Sequence, residues 1–168
     1  MGYTNKTISG SLLFVGSALY LLGTVVGEKF DNTMLFNAAV TLLGILMLVS
    51  VYFIQRAFKS IVFSAILALA GIGTIGVGLL TFGSAEYYVF ADIGYIFFAL
   101  SAIMSYKYEK APLSYLSVIL GVGSLLAFLL WVASVDLGSG MKVTPIIIDT
   151  LILLWLTGFG AHIINDKD

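Results

Sequence analysis

The chain has 168 residues, 60% of them hydrophobic and 10% charged, with a formal net charge of −1 and a mean hydropathy of +1.08. Soluble domains carry about 25% charged residues, so burial in a globular core does not account for this composition. No basic patch of the kind nucleic acid requires is present. The absence of cysteine excludes disulfides, thiolate metal sites and haem attached through Cys.

The apolar residues fall in blocks of about 20, the length of helix that crosses a hydrocarbon core about 30 Å thick. The first predicted helix is Ile8–Gly27. Its leading segment "MGYTNKTISG" has a weak basic region and only a vague cleavage site follows, so it reads as a retained span rather than a signal peptide. Lys6 occupies the place where a myristoylation motif wants Ser or Thr. The second helix, Met34–Ile54, follows the polar break "EKFDNT", and the third, Ser60–Phe82, follows "QRAFKS". "GSAEY" leads into the fourth, Tyr87–Ser105, and "YKYEKAP" into the fifth, Leu113–Ser134. After "VDLGSGMKV" comes the sixth, Pro145–Ile164. The expected fold is therefore all-α: six transmembrane helices in a compact bundle, residues 1–168 forming one membrane domain with no soluble domain.

Lys6, Arg56, Lys59, Lys107, Lys110 and Lys167 fall on the side of the N-terminus, against Lys29 and Lys142 on the other. Over short loops this asymmetry predicts a multi-pass cell-membrane protein with both termini in the cytoplasm. Glu28, Asp31, Glu86 and Asp136 then lie outside. Aromatic belts agree: Phe30, Tyr87, Tyr88 and Trp131 at the outer border, Tyr52, Phe53, Tyr106, Tyr108 and Tyr115 at the inner.

Odd helices share a glycine followed by a small hydroxyl residue: Gly16-Ser17, Gly73-Thr74 and Gly123-Ser124. Even helices each carry one strongly polar residue near their outer end: Asn37, Asp92 and Asp149. The pattern suggests three tandem helical hairpins of one orientation. Small residues let membrane helices approach closely, and on that ground Gly23, Gly27, Gly71, Gly73, Gly76, Gly78, Gly121, Gly123, Gly158 and Gly160 are expected in helix contacts.

Asn37, Asp92 and Asp149 sit at similar depth in the outer leaflet. Helical spacing extends them into the stripes Asn37–Thr41–Gly44, Asp92–Tyr95–Ala99 and Asp149–Leu153–Gly160. In one reading these groups bond to neighbours such as Ser17 or Thr74 and tie the helices together. In the other, Asn37, Asp92, Asp149, Glu86 and Tyr95 form an outward-facing polar pocket for a cation, a proton or a lipid headgroup. An intramembrane aspartyl protease needs Tyr-Asp and Gly-x-Gly-Asp, whereas the acids here read "FADIG" and "IIDTL". His162 is the only histidine, distant in depth from both acids, and suits an interfacial or capping role. No metal or cofactor site is expected. Tyr95, Trp131 and Trp155 read as packing or belt residues.

The stretches "LFNAAVTLLGILML", "ALAGIGTIGVGLLTF", "DIGYIFFALSAIMS" and "PIIIDTLILLWLTGFGAHI" resemble the domain-of-unknown-function 998 family, compact six-span proteins of archaea and bacteria. The resemblance covers nearly the whole chain. That family often has a histidine just before the "FF" helix core, where this chain carries Asp92. The family brings no established activity. The first functional expectation is a non-enzymatic scaffold or accessory subunit working against membrane lipids, other membrane subunits or a second copy of itself. The alternatives are a small transporter or channel-like protein with an outward-facing acidic site, and an intramembrane enzyme acting on lipid.

Overall fold

Short polar breaks build the helix ends, and each break uses side-chain chemistry suited to the job. In the computed structural model, which describes residues 2–29, 32–136 and 143–166, six helices follow one another: α1 (Gly2–Lys29), α2 (Thr33–Phe58), α3 (Ile61–Leu79), α4 (Ala85–Ser105), α5 (Leu113–Asp136) and α6 (Val143–Asn165). Asn32, Ser60 and Ser84 cap α2, α3 and α4, accepting from the backbone N–H of Leu35, Phe63 and Tyr87. Such caps satisfy N–H groups that have no partner inside the helix. Lys59 closes α2 in the left-handed conformation (φ 52°), its N–H bonded to the carbonyl of Gln55. Gly83 (φ 88°) turns the chain into α4. A 3₁₀ turn, Tyr106–Tyr108, extends α4 toward α5.

All six helices are long and apolar enough to cross a membrane. Three boundaries differ from the sequence expectation by three residues or more, one of them the end of α2, which runs on to Phe58, past Ile54. Helix α1 starts at Gly2, six residues before Ile8, because the polar segment is held: Lys6 Nζ donates to the Asp166 carboxylate at 2.6 Å. Helix α3 stops at Leu79, where Leu80 turns extended, before Phe82. Phe30, Asp31, Lys142 and Lys167, which enter the orientation argument, lie outside the described residues.

Each helix packs on the next and α6 returns to α1, so the six close into a ring. An even number of helices brings both ends of the chain to one face, where Asp166 joins Lys6 and Lys110 (3.4 Å), linking α1, the α4–α5 connection and α6. The three seams between successive hairpins share one contact. A Cβ on Gly71 of α3 would meet the Gly44 carbonyl and Leu48 of α2. One on Gly121 of α5 would lie 2.7 Å from the Ala99 carbonyl and meet Ile103 of α4. One on Gly10 of α1 would lie 2.6 Å from the Gly160 carbonyl and meet Ile164 of α6. In every case an odd-helix glycine faces an even-helix carbonyl, with a branched aliphatic side chain four residues further on. The tandem arrangement of hairpins is thus repeated in the packing itself.

Beneath the seams, the half of the ring nearer the termini is filled. Leu13, Met47, Ile54, Phe63, Leu67, Trp155, Leu156, Phe159 and Ile163 are buried there in one apolar cluster.

Candidate functional site

The other half of the ring is hollow. A cavity of about 150 Å³ lies on the ring axis, partly open rather than sealed. It is bounded on α4 by Tyr87, Ala91, Gly94, Tyr95 and Phe98, residues that recur at three- and four-residue steps and so share one helix face. From Tyr87 to Phe98 that wall is about 16 Å long at the α-helical rise. Helix α2 adds Phe36, Val40 and Leu43, again at helical spacing, and α3 adds Thr74 and Val77. The remaining wall comes from Tyr20 of α1 and from Asp149, Ile152 and Leu153 of α6.

Among the described residues, Asp149 is the one charged residue in this wall. Its carboxylate accepts hydrogen bonds from the hydroxyls of Tyr20 on α1 and Tyr95 on α4. Hydrogen bonds to an ionised acceptor are the strong ones, and this pair fixes the carboxylate at the cavity wall. Tyr20 is itself buried and rests against Phe36 with ring centroids 6.2 Å apart. Tyr95 is braced from behind by Trp131 (6.0 Å, edge-on) and Phe128 (6.4 Å).

Of the five residues expected to form a polar pocket, Asp149 and Tyr95 line the cavity. Asn37, Asp92 and Glu86 do not. Asn37 lies on the α2–α3 seam, where its carbonyl accepts from Thr41 Oγ1 (2.8 Å) and stands against Gly78. Asp92 is half-buried, about 100° around α4 from the cavity-facing Ala91. Glu86 is exposed in the first turn of α4. The stripe Asn37–Thr41–Gly44 is therefore a packing seam, because Thr41 and Gly44 both close on α3. Ser17, proposed as a partner for the acids, instead pairs with Thr157 across the α1–α6 seam (3.1 Å). Thr74 lines the cavity but its hydroxyl donates to the Ala70 carbonyl (2.9 Å).

The cavity floor is aromatic. Phe98 meets Trp155 edge-on (6.4 Å), and Trp155 stacks on Phe159 (5.7 Å), which in turn meets Phe63 (5.8 Å). Trp155, 1% exposed, is a core residue rather than a member of an interfacial belt. Its Nε1–H donates to Ser105 Oγ (3.0 Å), and Ser105 donates to the Ala102 carbonyl (2.8 Å).

Sequence reasoning missed a second polar group, behind this floor. Glu109, in the break "YKYEKAP", is only 9% exposed. One of its oxygens accepts from Ser117 Oγ (2.8 Å), while Oε2 is buried without a hydrogen-bond partner among the described residues. Burial pushes its pKa up to about 7, opposed by the hydrogen bond from Ser117. Nothing in the local sequence distinguishes it from a solvated loop acid. Asp166 goes the other way: the Lys6 hydrogen bond holds its carboxyl below the usual range. His162, expected at the interface or as a cap, is half-buried with Nε2 unbonded among the described residues.

No family model, curated protein or solved structure matches this chain.

Proposed function

We propose that this is a small transporter-like membrane protein that binds a positively charged solute in the central cavity, with Asp149 as the charge partner. The observation that carries this reading is a lone carboxylate, oriented by Tyr20 and Tyr95, in a chamber on the axis of a closed helix ring. An ionisable side chain inside a membrane domain is expensive, and where it faces an internal cavity it marks a solute or ion pathway. Among the described residues no basic side chain lines the chamber to compete with an incoming cation for Asp149. The aromatic floor at Phe98 and Trp155 closes the route toward the termini, as one state of a carrier requires.

A scaffold that packs against partner helices needs small-residue faces to receive them. Gly10, Gly16, Gly23, Gly44, Gly71, Gly73, Gly76, Gly78, Gly121 and Gly160 all lie against a neighbouring helix of the same chain. Those faces are spent on closing the ring, which favours the solute-binding reading. The positive residues Lys6, Arg56, Lys59, Lys107 and Lys110 support cytoplasmic termini, so the chamber belongs to the outward half of the membrane domain.

The test is charge movement in proteoliposomes, recorded on a solid-supported membrane during jumps of sodium, potassium and methylammonium. Currents that vanish in Asp149→Asn support the proposal. Wild-type vesicles indistinguishable from protein-free vesicles with all three cations would end it.

A further inference from the structure

Building on the cation-binding reading, we infer that the solute is a small organic ammonium, held between the Asp149 carboxylate and a cage of aromatic rings. Five of the residues bounding the chamber are aromatic: Tyr20, Phe36, Tyr87, Tyr95 and Phe98. They come from three helices, α1, α2 and α4, so a bound molecule meets rings on several sides. Aromatic faces carry negative electrostatic potential and attract ammonium groups, each such contact contributing about 0.5–2 kcal/mol as water is excluded. Apart from these rings and Asp149, the wall is mostly aliphatic carbon: Val40, Leu43, Val77, Ile152 and Leu153.

This lining suits a cation that carries its own apolar surface. A hard inorganic cation takes six or more oxygen ligands. Here Asp149 supplies one carboxylate, Tyr20, Tyr87, Tyr95 and Thr74 add hydroxyls, and the other lining side chains offer carbon. An alkylammonium needs one anionic partner on one side and apolar or aromatic contact elsewhere, which is the distribution observed. Size points the same way. A cavity of about 150 Å³ holds a molecule such as benzene, so the chamber admits an amine of about six non-hydrogen atoms and excludes large hydrophobic cations.

The experiment measures the thermal shift of the full chain in lipid nanodiscs on addition of tetramethylammonium, sodium, potassium or tert-butanol, the last a neutral molecule of similar shape. The expected result is a concentration-dependent rise in Tm with tetramethylammonium alone. Apparent affinity should fall about tenfold or more in Asp149→Asn, and roughly threefold or more in Tyr87→Leu, following the energies of one charge pair and one ring contact. Tyr87 lines the cavity without bonding Asp149, so its variant reports on the cage if Asp149→Asn fails to fold. Stabilisation by sodium or potassium but not tetramethylammonium would overturn the organic-ammonium assignment while leaving the cation reading intact. Equal stabilisation by tert-butanol, unchanged in Asp149→Asn, would overturn both. No shift with any of the four would also overturn the ammonium assignment, and the proteoliposome currents would then decide the broader reading alone.

Discussion

Glu109 Oε1 accepts from Ser117, while Oε2 is buried with no hydrogen-bond partner among the described residues. An ionised Glu109 is therefore a buried charge with one oxygen uncompensated, and burial raises its pKa to about 7 against the opposing hydrogen bond. The folded-state pKa lies above the unfolded value, so the folded chain binds the extra proton more tightly. Stability is then greatest below about pH 4.5 for this group and declines as pH rises toward 7 and above. Glu109→Gln should flatten that decline, removing about 2–3 kcal/mol of pH-dependent stability between pH 5 and pH 8, measured as Tm against pH in detergent. A slope identical to wild type would show that Glu109 does not titrate in this window. At the cavity, Tyr95→Phe keeps the ring and removes one donor to Asp149; a cost of about 0.6–2 kcal/mol is expected in thermal unfolding.

The helices depend on glycine at different closeness from one seam to another. At Gly44 a Cβ would fall 2.7 Å from the Gly71 carbonyl, which is backbone and has no rotamer to yield. Gly44→Ala should therefore push α2 and α3 apart and cost about 2 kcal/mol or more. At Gly123 the nearest atom is a terminal carbon of Leu151 at 3.4 Å, an ordinary contact. Gly123→Ala should be neutral or gain up to about 1 kcal/mol from helix propensity. Comparing the two Tm values tests whether the seams hold the ring. Both glycines were visible in the sequence as small residues in apolar helices, but their closeness to a neighbour was not. Gly16-Ser17, Gly73-Thr74 and Gly123-Ser124 illustrate the same gap. The second and third pairs begin two residues after the contact glycines Gly71 and Gly121, whereas the first begins six after Gly10. The hydroxyls themselves bond to carbonyls of their own helices, Phe14, Ala70 and Leu120.

For the molecule as a whole, ring closure separates the hollow half, with Asp149, from the filled half, with Trp155 and Glu109. The orientation proposed from the basic residues can be checked directly because the chain has no cysteine to interfere. With cytoplasmic termini, a membrane-impermeant thiol reagent on intact cells should label Phe82→Cys, exposed beside Gly83, and leave Lys59→Cys unlabelled. The reverse pattern would place the cavity in the cytoplasmic half. The sequence by itself determined the number of helices and their approximate limits. These follow from hydropathy and the fixed rise of 1.5 Å per residue. Only the tertiary structure decided which way each polar residue points. That choice depends on the rotation of every helix about its own axis, which is set by contacts such as Gly71 on Gly44 between residues far apart in the chain. The same rotation turns Tyr20, Tyr87 and Tyr95 inward with Asp149 and leaves Asp92 outside the cavity.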